Sequence, residues 1–339
     1  MKNRKVVLKK PFEVELITEE FDVNNLKPMD VAIKTKYSLI SAGTELACYT
    51  GNAPWFSLPG TPGYCNMGEV IAVGKDVKDF KKGDLVYSSN GHMEYHVYDS
   101  SNLNDILVKT PAGLKLDEGC FGRMGAISFT GLRVSRIDLG DFVGVAGLGI
   151  IGNFAAQLAQ MQGGTVIAMD INEKRIEIAK QCGIKHVVNM QDKDAMKKKV
   201  MEITGGAGVS TFIEATGMSE VIPPILPIVA QYGEIILLGT PRAEFQGDLT
   251  AIFKSVHNGG TSHKFIGAHA RTIPFQPDPF MKHSHIKNLK NTFELLKENR
   301  LVVKPMLTHT MRPEDAKKAY EGLKNSKDEY IAVIYDWTK

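Results

Sequence analysis

Little in this sequence suggests a protein cross-linked, anchored in a membrane or drawn to a polyanion. Its 339 residues contain four cysteines, Cys48, Cys65, Cys120 and Cys182. None stands in a CxxC pair, so neither a disulfide framework nor a zinc knuckle is expected. A reducing, cytoplasmic setting follows as the default. The net charge of +3 leaves no strong field to favour nucleic acid or an anionic membrane. No uninterrupted apolar run approaches the roughly 18–20 residues that span a bilayer. The basic N-terminus breaks its short apolar stretch at Lys9, Lys10 and Pro11, and so lacks the hydrophobic core of a signal peptide. Internal repeats and low-complexity segments are also missing. What remains is the balance of a globular protein, 43% hydrophobic and 23% charged, with length for about two domains.

Up to residue 115 the chain reads as β-rich. Val31, Ile33, Thr35, Tyr37 and Leu39 alternate with other residues as a half-buried strand does. Strands are also expected over 69–74, 83–87 and 94–98, beside glycine and aspartate turns. From about residue 116 strands and helices alternate: helices over 126–134, 153–162, 173–182, 193–204 and 221–230, strands over 142–146, 165–169, 186–189, 211–214 and 234–238. Such alternation implies a parallel sheet with crossover helices. The stretch 241–285, rich in proline and histidine, reads as a less regular covering loop. A helix is expected over 287–299, another over 313–325, and a closing strand over 330–335.

The sharpest motif is Gly147-Leu148-Gly149-Ile150-Ile151-Gly152, which follows an apolar strand and opens a helix. That context gives a GxGxxG its meaning. The first glycine permits the tight turn, the second lets backbone approach a pyrophosphate, and the third lets helix pack on strand. The helix start offers free N–H groups to the phosphates, including those of Ile150 and Ile151. Asp170 ends the next strand, where a carboxylate accepts ribose hydroxyls and repels a 2′-phosphate. NAD is therefore expected over NADP. Arg175 stands against this, because an arginine nearby can hold a 2′-phosphate; it can equally touch the adenosine ribose. Thr216, Gly239 and Thr240 follow later strands and should line the cleft at the carboxyl edge of the sheet.

With these motifs in order, the chain resembles the medium-chain dehydrogenase/reductases, the zinc alcohol dehydrogenase superfamily. The strings YSLISAGTE and PGYCNMGEV resemble a zinc-lacking branch that includes bacteriochlorophyllide a dehydrogenase-like and sugar or polyol dehydrogenases. The resemblance implies an α/β fold, a Rossmann doubly wound parallel sheet inserted in a GroES-like β-barrel domain. The barrel would comprise residues 1–118 plus 305–339, and the NAD-binding domain 119–304. It also implies a homodimer or homotetramer acting on a small-molecule substrate.

Where zinc members carry a ligand Cys, this chain has Ala42; Tyr64 takes the place of the ligand His and Cys65 that of its neighbouring Glu. The third ligand position falls at about Gly122. A catalytic zinc needs three protein ligands and an open position, so no metal is expected. Protein groups must then handle the proton that alcohol oxidation releases. By the resemblance Tyr64 faces the nicotinamide, either as a base activated by a cation such as Arg123 or as a filler of the vacated space. His92 is either an acid/base bordering the substrate cleft or a hydrogen-bonded loop histidine. Thr44 matches a proton-relaying hydroxyl, and Glu45 a carboxylate that would support the missing histidine. The leading expectation is a zinc-independent, NAD-dependent alcohol dehydrogenase acting on a sugar, polyol or sugar acid. The alternatives are an NAD(P)H-dependent quinone or enone reductase and a non-catalytic dinucleotide-binding protein.

Overall fold

The chain begins with an antiparallel pair, β1 (Lys2–Lys10) and β2 (Glu13–Glu20), with Val6 opposite Leu16. The computed structural model describes residues 1–241 and 243–339. Next come β3 (Asp30–Leu39), helix α1 (Ala42–Thr50), β4 (Asn66–Val73), β5 (Leu85–Ser88), β6 (Tyr95–Asp99), β7 (Leu107–Lys109) and the short helix α2 (Leu116–Gly119). Helix α3 (Gly122–Val134) leads to β8 (Phe142–Ala146), α4 (Ile150–Met161), β9 (Thr165–Asp170), α5 (Glu173–Gln181), β10 (His186–Asn189), α6 (Lys193–Ile203) and β11 (Val209–Glu214). The chain continues through α7 (Ile222–Ile225), β12 (Val229–Leu237), α8 (Leu249–His257), β13 (Lys264–Gly267), α9 (His285–Lys297), β14 (Leu307–Met311), α10 (Ala316–Asn325) and β15 (Ala332–Asp336).

Two compact units result, Met1–Arg123 with Lys290–Lys339, and Met124–Leu289. The second is built on six strands in the order β10-β9-β8-β11-β12-β13, every neighbouring pair parallel. Numbered within this sheet the order is 3-2-1-4-5-6, the doubly wound arrangement whose order reverses between β8 and β11. Ala146, Ile167, Met169, Val200, Phe212 and Ile235 form its core from strand and helix faces alike. Polar starts fix the helices. Asn172 accepts the Arg175 N–H at the head of α5, and Asp192 accepts the Asp194 and Ala195 N–H groups at the head of α6.

In the first unit seven strands form one sheet, β14-β15-β3-β4-β5-β7, with β6 also on β3. One edge of β3 serves two partners. Residues 37–39 pair with β15 and residues 30–34 with β6, while the opposite edge pairs with β4 throughout. The last strand of the chain thus closes beside the third, and Tyr49, Tyr320, Tyr335 and Trp337 pack into one core from both ends of the sequence.

Several elements differ from those expected. The helix over 221–230 shrinks to α7 flanked by tight 3-10 turns, because Pro223, Pro224 and Pro227 remove donors and crowd the preceding turn. The irregular stretch 241–285 contains α8, begun by Asp248 accepting the Thr250 N–H, and the parallel edge strand β13. Helix α1 was not foreseen. The unit boundaries fall inside α3 and α9 rather than at 118/119 and 304/305. Phe293 of α9 packs on Tyr87 of β5 at 5.7 Å between ring centroids, which draws the later half of α9 into the first unit.

Candidate active site

In the second unit the glycine-rich loop connects β8 to α4. Gly147 turns at φ 90°, and its N–H donates to the Met169 carbonyl at 2.8 Å. A Cβ on Gly152 would lie 1.7 Å from the Gly147 carbonyl oxygen, so the loop closes only over glycine there. Gly149 caps α4 without any side-chain acceptor, and a Cβ built on it would meet nothing within 4 Å. The first amides of α4, those of Ile150 and Ile151 among them, are left to an outside acceptor. Ser128 of α3 donates to the Ile151 carbonyl at 2.8 Å, which ties the two helices together.

Asp170, at the end of β9, accepts the Leu148 N–H at 2.7 Å on one carboxylate oxygen and the Asn172 N–H at 2.9 Å on the other. It therefore holds the backbone of the glycine loop at Leu148. Arg175 reaches the same carboxylate at 3.8 Å. Across the sheet, buried Glu214 ends β11 and accepts the Thr216 N–H at 2.6 Å, the Thr216 hydroxyl, and the Gly217 N–H at 3.1 Å. The Gly239 N–H donates to the Glu214 carbonyl at 2.8 Å. A Cβ on Gly147 would come within 2.7 Å of Thr216 Cγ2, and one on Gly217 within 2.5 Å of the Thr240 carbonyl. Gly147, Gly149, Gly152, Asp170, Arg175, Thr216, Gly239 and Thr240 thus gather at the carboxyl ends of adjacent strands. Backbone this close, uncapped amides and an acidic strand end fit a dinucleotide. Sequence reasoning did not assign Glu214 a role, although a carboxylate two residues before Thr-Gly was the available signal.

The first unit gathers hydroxyls and one buried carboxylate. Ser41 begins α1, yet its side chain makes no cap hydrogen bond to the helix. Its Oγ lies 2.5 Å from Tyr64 Oη instead, and Tyr64 Oη lies 3.4 Å from Thr44 Oγ1. Burial pushes the Tyr64 phenol well up; Cys65 adds to this, and the hydrogen bonds from Ser41 and Thr44 only partly offset it. Tyr64 is therefore a neutral O–H donor at ordinary pH. The charge of Arg123, the expected activating cation, bears on Cys65 and Tyr87.

Glu45, 1% exposed, is held by three donors. Ser41 N–H reaches one oxygen at 2.7 Å, while Tyr320 O–H at 2.6 Å and His92 Nε2 at 2.9 Å meet the other. His92 is fully buried, with Nδ1 2.8 Å from Ser38 Oγ and its ring edge-on to Tyr335. The expectation that His92 borders a substrate cleft as an acid/base is corrected, since a residue with no exposed surface and both ring nitrogens engaged does not meet substrate. Glu45 likewise is not available to Tyr64 or to a substrate hydroxyl, because its partners are His92, Tyr320 and the Ser41 amide. Ser38, Ser41, Tyr320 and Trp337 were missed; only Ser41, four residues before Glu45, carried a local signal.

A zinc ion does not fit these residues. Ala42 and Gly122 offer no donor, and Tyr64 is held neutral. Burial raises the Cys65 thiol to about 12 and the Cys120 thiol well above its usual range, so both are neutral thiols at ordinary pH. Among the described residues no three His, Cys, Asp or Glu side chains come together as a metal site. No helix among them is long and apolar enough to cross a membrane.

Residues 151–282 match the zinc-binding dehydrogenase family model. The chain is 25% identical to a sorbitol dehydrogenase of Halalkalibacterium halodurans, with 88% of this chain and 89% of the relative aligned. Among solved structures, an oxidoreductase/dehydrogenase of unknown specificity from Escherichia coli superposes with a TM-score of 0.82 at 21% identity, over 99% of both chains. Galactitol-1-phosphate dehydrogenase from Escherichia coli gives 0.81 at 18% identity, over 98% of this chain and 99% of that one.

Proposed function

We propose that the chain, whose residues 151–282 match the zinc-binding dehydrogenase family model, is a medium-chain dehydrogenase/reductase and acts as a zinc-independent, NAD-dependent oxidoreductase on CH–OH groups. It interconverts a secondary alcohol and a ketone on a sugar, polyol or sugar acid. The observation that carries the reading is the part-buried contact of three hydroxyls, Ser41, Tyr64 and Thr44, at sequence positions that by the resemblance match or lie close to those of the zinc ligands.

A bound dinucleotide supplies the carbon that accepts or gives the hydride. The remaining work falls to hydroxyls. Tyr64 Oη, kept protonated by burial, donates to the substrate oxygen. In the reducing direction its proton passes to that oxygen and is replaced from solvent water through part-exposed Thr44 and Ser41, each hydroxyl giving one proton as it takes another; in the oxidising direction the alcohol proton leaves to water along the same groups. The names of the sorbitol and galactitol-1-phosphate dehydrogenases support a polyhydroxylated substrate. The preference for NAD is supported by Asp170 and by Arg175, whose nearest charged partner is that carboxylate. A homodimer or homotetramer in the cytoplasm completes the reading; four buried free thiols agree with a reducing compartment.

The test is NADH formation across sorbitol, galactitol, xylitol and gluconate, with NAD+ and NADP+ compared. The expected result is turnover of at least one of these with NAD+ preferred by about tenfold or more, near 1.4 kcal/mol. NADPH-dependent reduction of quinones would replace the reading with the reductase alternative. Tight NADH binding with no turnover of any substrate would favour a binding protein.

A further inference from the structure

Ser41 is placed oddly for a residue that starts a helix. A serine there ordinarily turns its Oγ onto an N–H of the first turn. Here the Oγ is directed at Tyr64, and Glu45 takes the Ser41 N–H from inside the helix. The direction of the Ser41 side chain therefore depends on where the Glu45 carboxylate sits.

Two chain segments outside α1 and its Ser41 start hold that carboxylate. Tyr320 comes from α10, His92 from the turn before β6, and behind His92 stand Ser38 at the end of β3 and Trp337 after β15. The proton assignment that satisfies every group runs one way. The Trp337 indole, which only donates, gives its N–H to Ser38 Oγ at 2.9 Å. Ser38 gives its hydroxyl proton to His92 Nδ1, and His92 carries its ring proton on Nε2 and donates to Glu45. None of the four is exposed: Ser38 and His92 are at 0%, Glu45 and Trp337 at 1%.

We propose that His92 is a positioning residue: through Glu45 it fixes the Ser41 main chain, and so directs the Ser41 hydroxyl that orients Tyr64 Oη. The inference rests on the reading of Tyr64 as the group that holds the substrate oxygen. Its physical basis is that a buried carboxylate stripped of a donor must find another or shift. Because Ser41 is bound to it directly, the first turn of α1 moves with it.

The experiment compares full-length His92→Leu, His92→Gln, Tyr320→Phe and Tyr64→Phe with the wild-type enzyme. Kinetics use the substrate from the panel above that gives the fastest NADH formation. Amide hydrogen exchange is followed in the peptide carrying Ser41 to Glu45. His92→Leu is expected to lower kcat about 10- to 100-fold, the scale of an ångström misplacement, with KM for NAD+ within about twofold. Exchange at the start of α1 should quicken in parallel. His92→Gln keeps an N–H within reach of Glu45 and is expected to recover kcat to within about threefold of wild type. If His92→Leu does not fold, Tyr320→Phe removes the other donor from the same oxygen, and a loss of kcat of about threefold to tenfold is expected. A folded His92→Leu or Tyr320→Phe enzyme with wild-type kcat and unchanged exchange overturns the proposal. So does an equal loss in His92→Leu and His92→Gln, which would mean that only ring volume matters. Should Tyr64→Phe keep wild-type kcat, or no substrate turn over, the functional reading falls by itself. Exchange then decides the positioning claim: protection in wild type and His92→Gln with loss in His92→Leu upholds it, and equal exchange in all three rejects it.

Discussion

Glu214 in the second unit and Glu45 in the first are both buried carboxylates committed to backbone amides, but they draw their partners from different distances. Glu214 is satisfied by Thr216 and Gly217, two and three residues on. Glu45 draws on Ser41 four residues back, on His92 47 residues away and on Tyr320 275 residues away. The first arrangement is complete once a strand and its following turn have formed. The second exists only after both ends of the chain have met in one sheet. A local device survives changes elsewhere in the fold; a device assembled from the whole unit conveys any change in its members to the group it holds.

The sharpest way to separate the two units is Tyr64→Phe. It deletes one oxygen from the hydroxyl set and leaves the glycine loop untouched. Turnover of the best polyol substrate is expected to fall about 10²- to 10⁴-fold, the usual worth of a positioned proton-transfer group. NADH affinity, read by fluorescence titration, should stay within about twofold because the residues proposed to hold the dinucleotide belong to the other unit. The converse change is Gly152→Val. Its Cβ would sit 1.7 Å from the Gly147 carbonyl, and a loss of NADH affinity of about a hundredfold, near 3 kcal/mol, is expected in the same titration.

This contrast also explains what could be read in advance. The parallel sheet with its crossover helices was legible because it rests on short-range rules, the alternation of strands and helices, and the glycine loop between β8 and α4 on sterics within one loop at Gly147 and Gly152. The burial of His92 was not. A histidine in Asn90-Gly91-His92 gives no sign that Ser38 and Glu45 will close on its two ring nitrogens. Nothing in the sequence around Tyr320 or Trp337 marks either as a donor to this network; both also belong to the aromatic core. Helix α8 escaped notice because its apolar residues Leu249, Phe253 and Val256 face outward beside a proline- and histidine-rich stretch.

A smaller effect sharpens the comparison through acid. His96 of β6 is buried, lies 3.1 Å from Ser88 Oγ, and is pushed down to about 3 by burial. Unfolded, it takes its proton near 6.5. Between those values the unfolded chain binds a proton that the native chain does not, so stability falls as pH falls through this window. The slope from this residue approaches about 1.4 kcal/mol per pH unit. Urea unfolding at pH 7, 5.5 and 4 should show it, and His96→Gln should flatten it. Asp192→Ala is the mildest change. Loss of its cap over the Asp194 and Ala195 amides should cost about 1 kcal/mol of urea stability, with kcat unchanged.

The central claim is that protein hydroxyls, without a metal ion, hold the reacting oxygen. Turnover of the purified enzyme, assayed before and after exhaustive chelation and again with zinc restored, tests it most directly. The account predicts the same kcat in all three states, with less than about one-tenth of a zinc ion per chain after chelation. Activity that disappears on chelation and returns with zinc would contradict it.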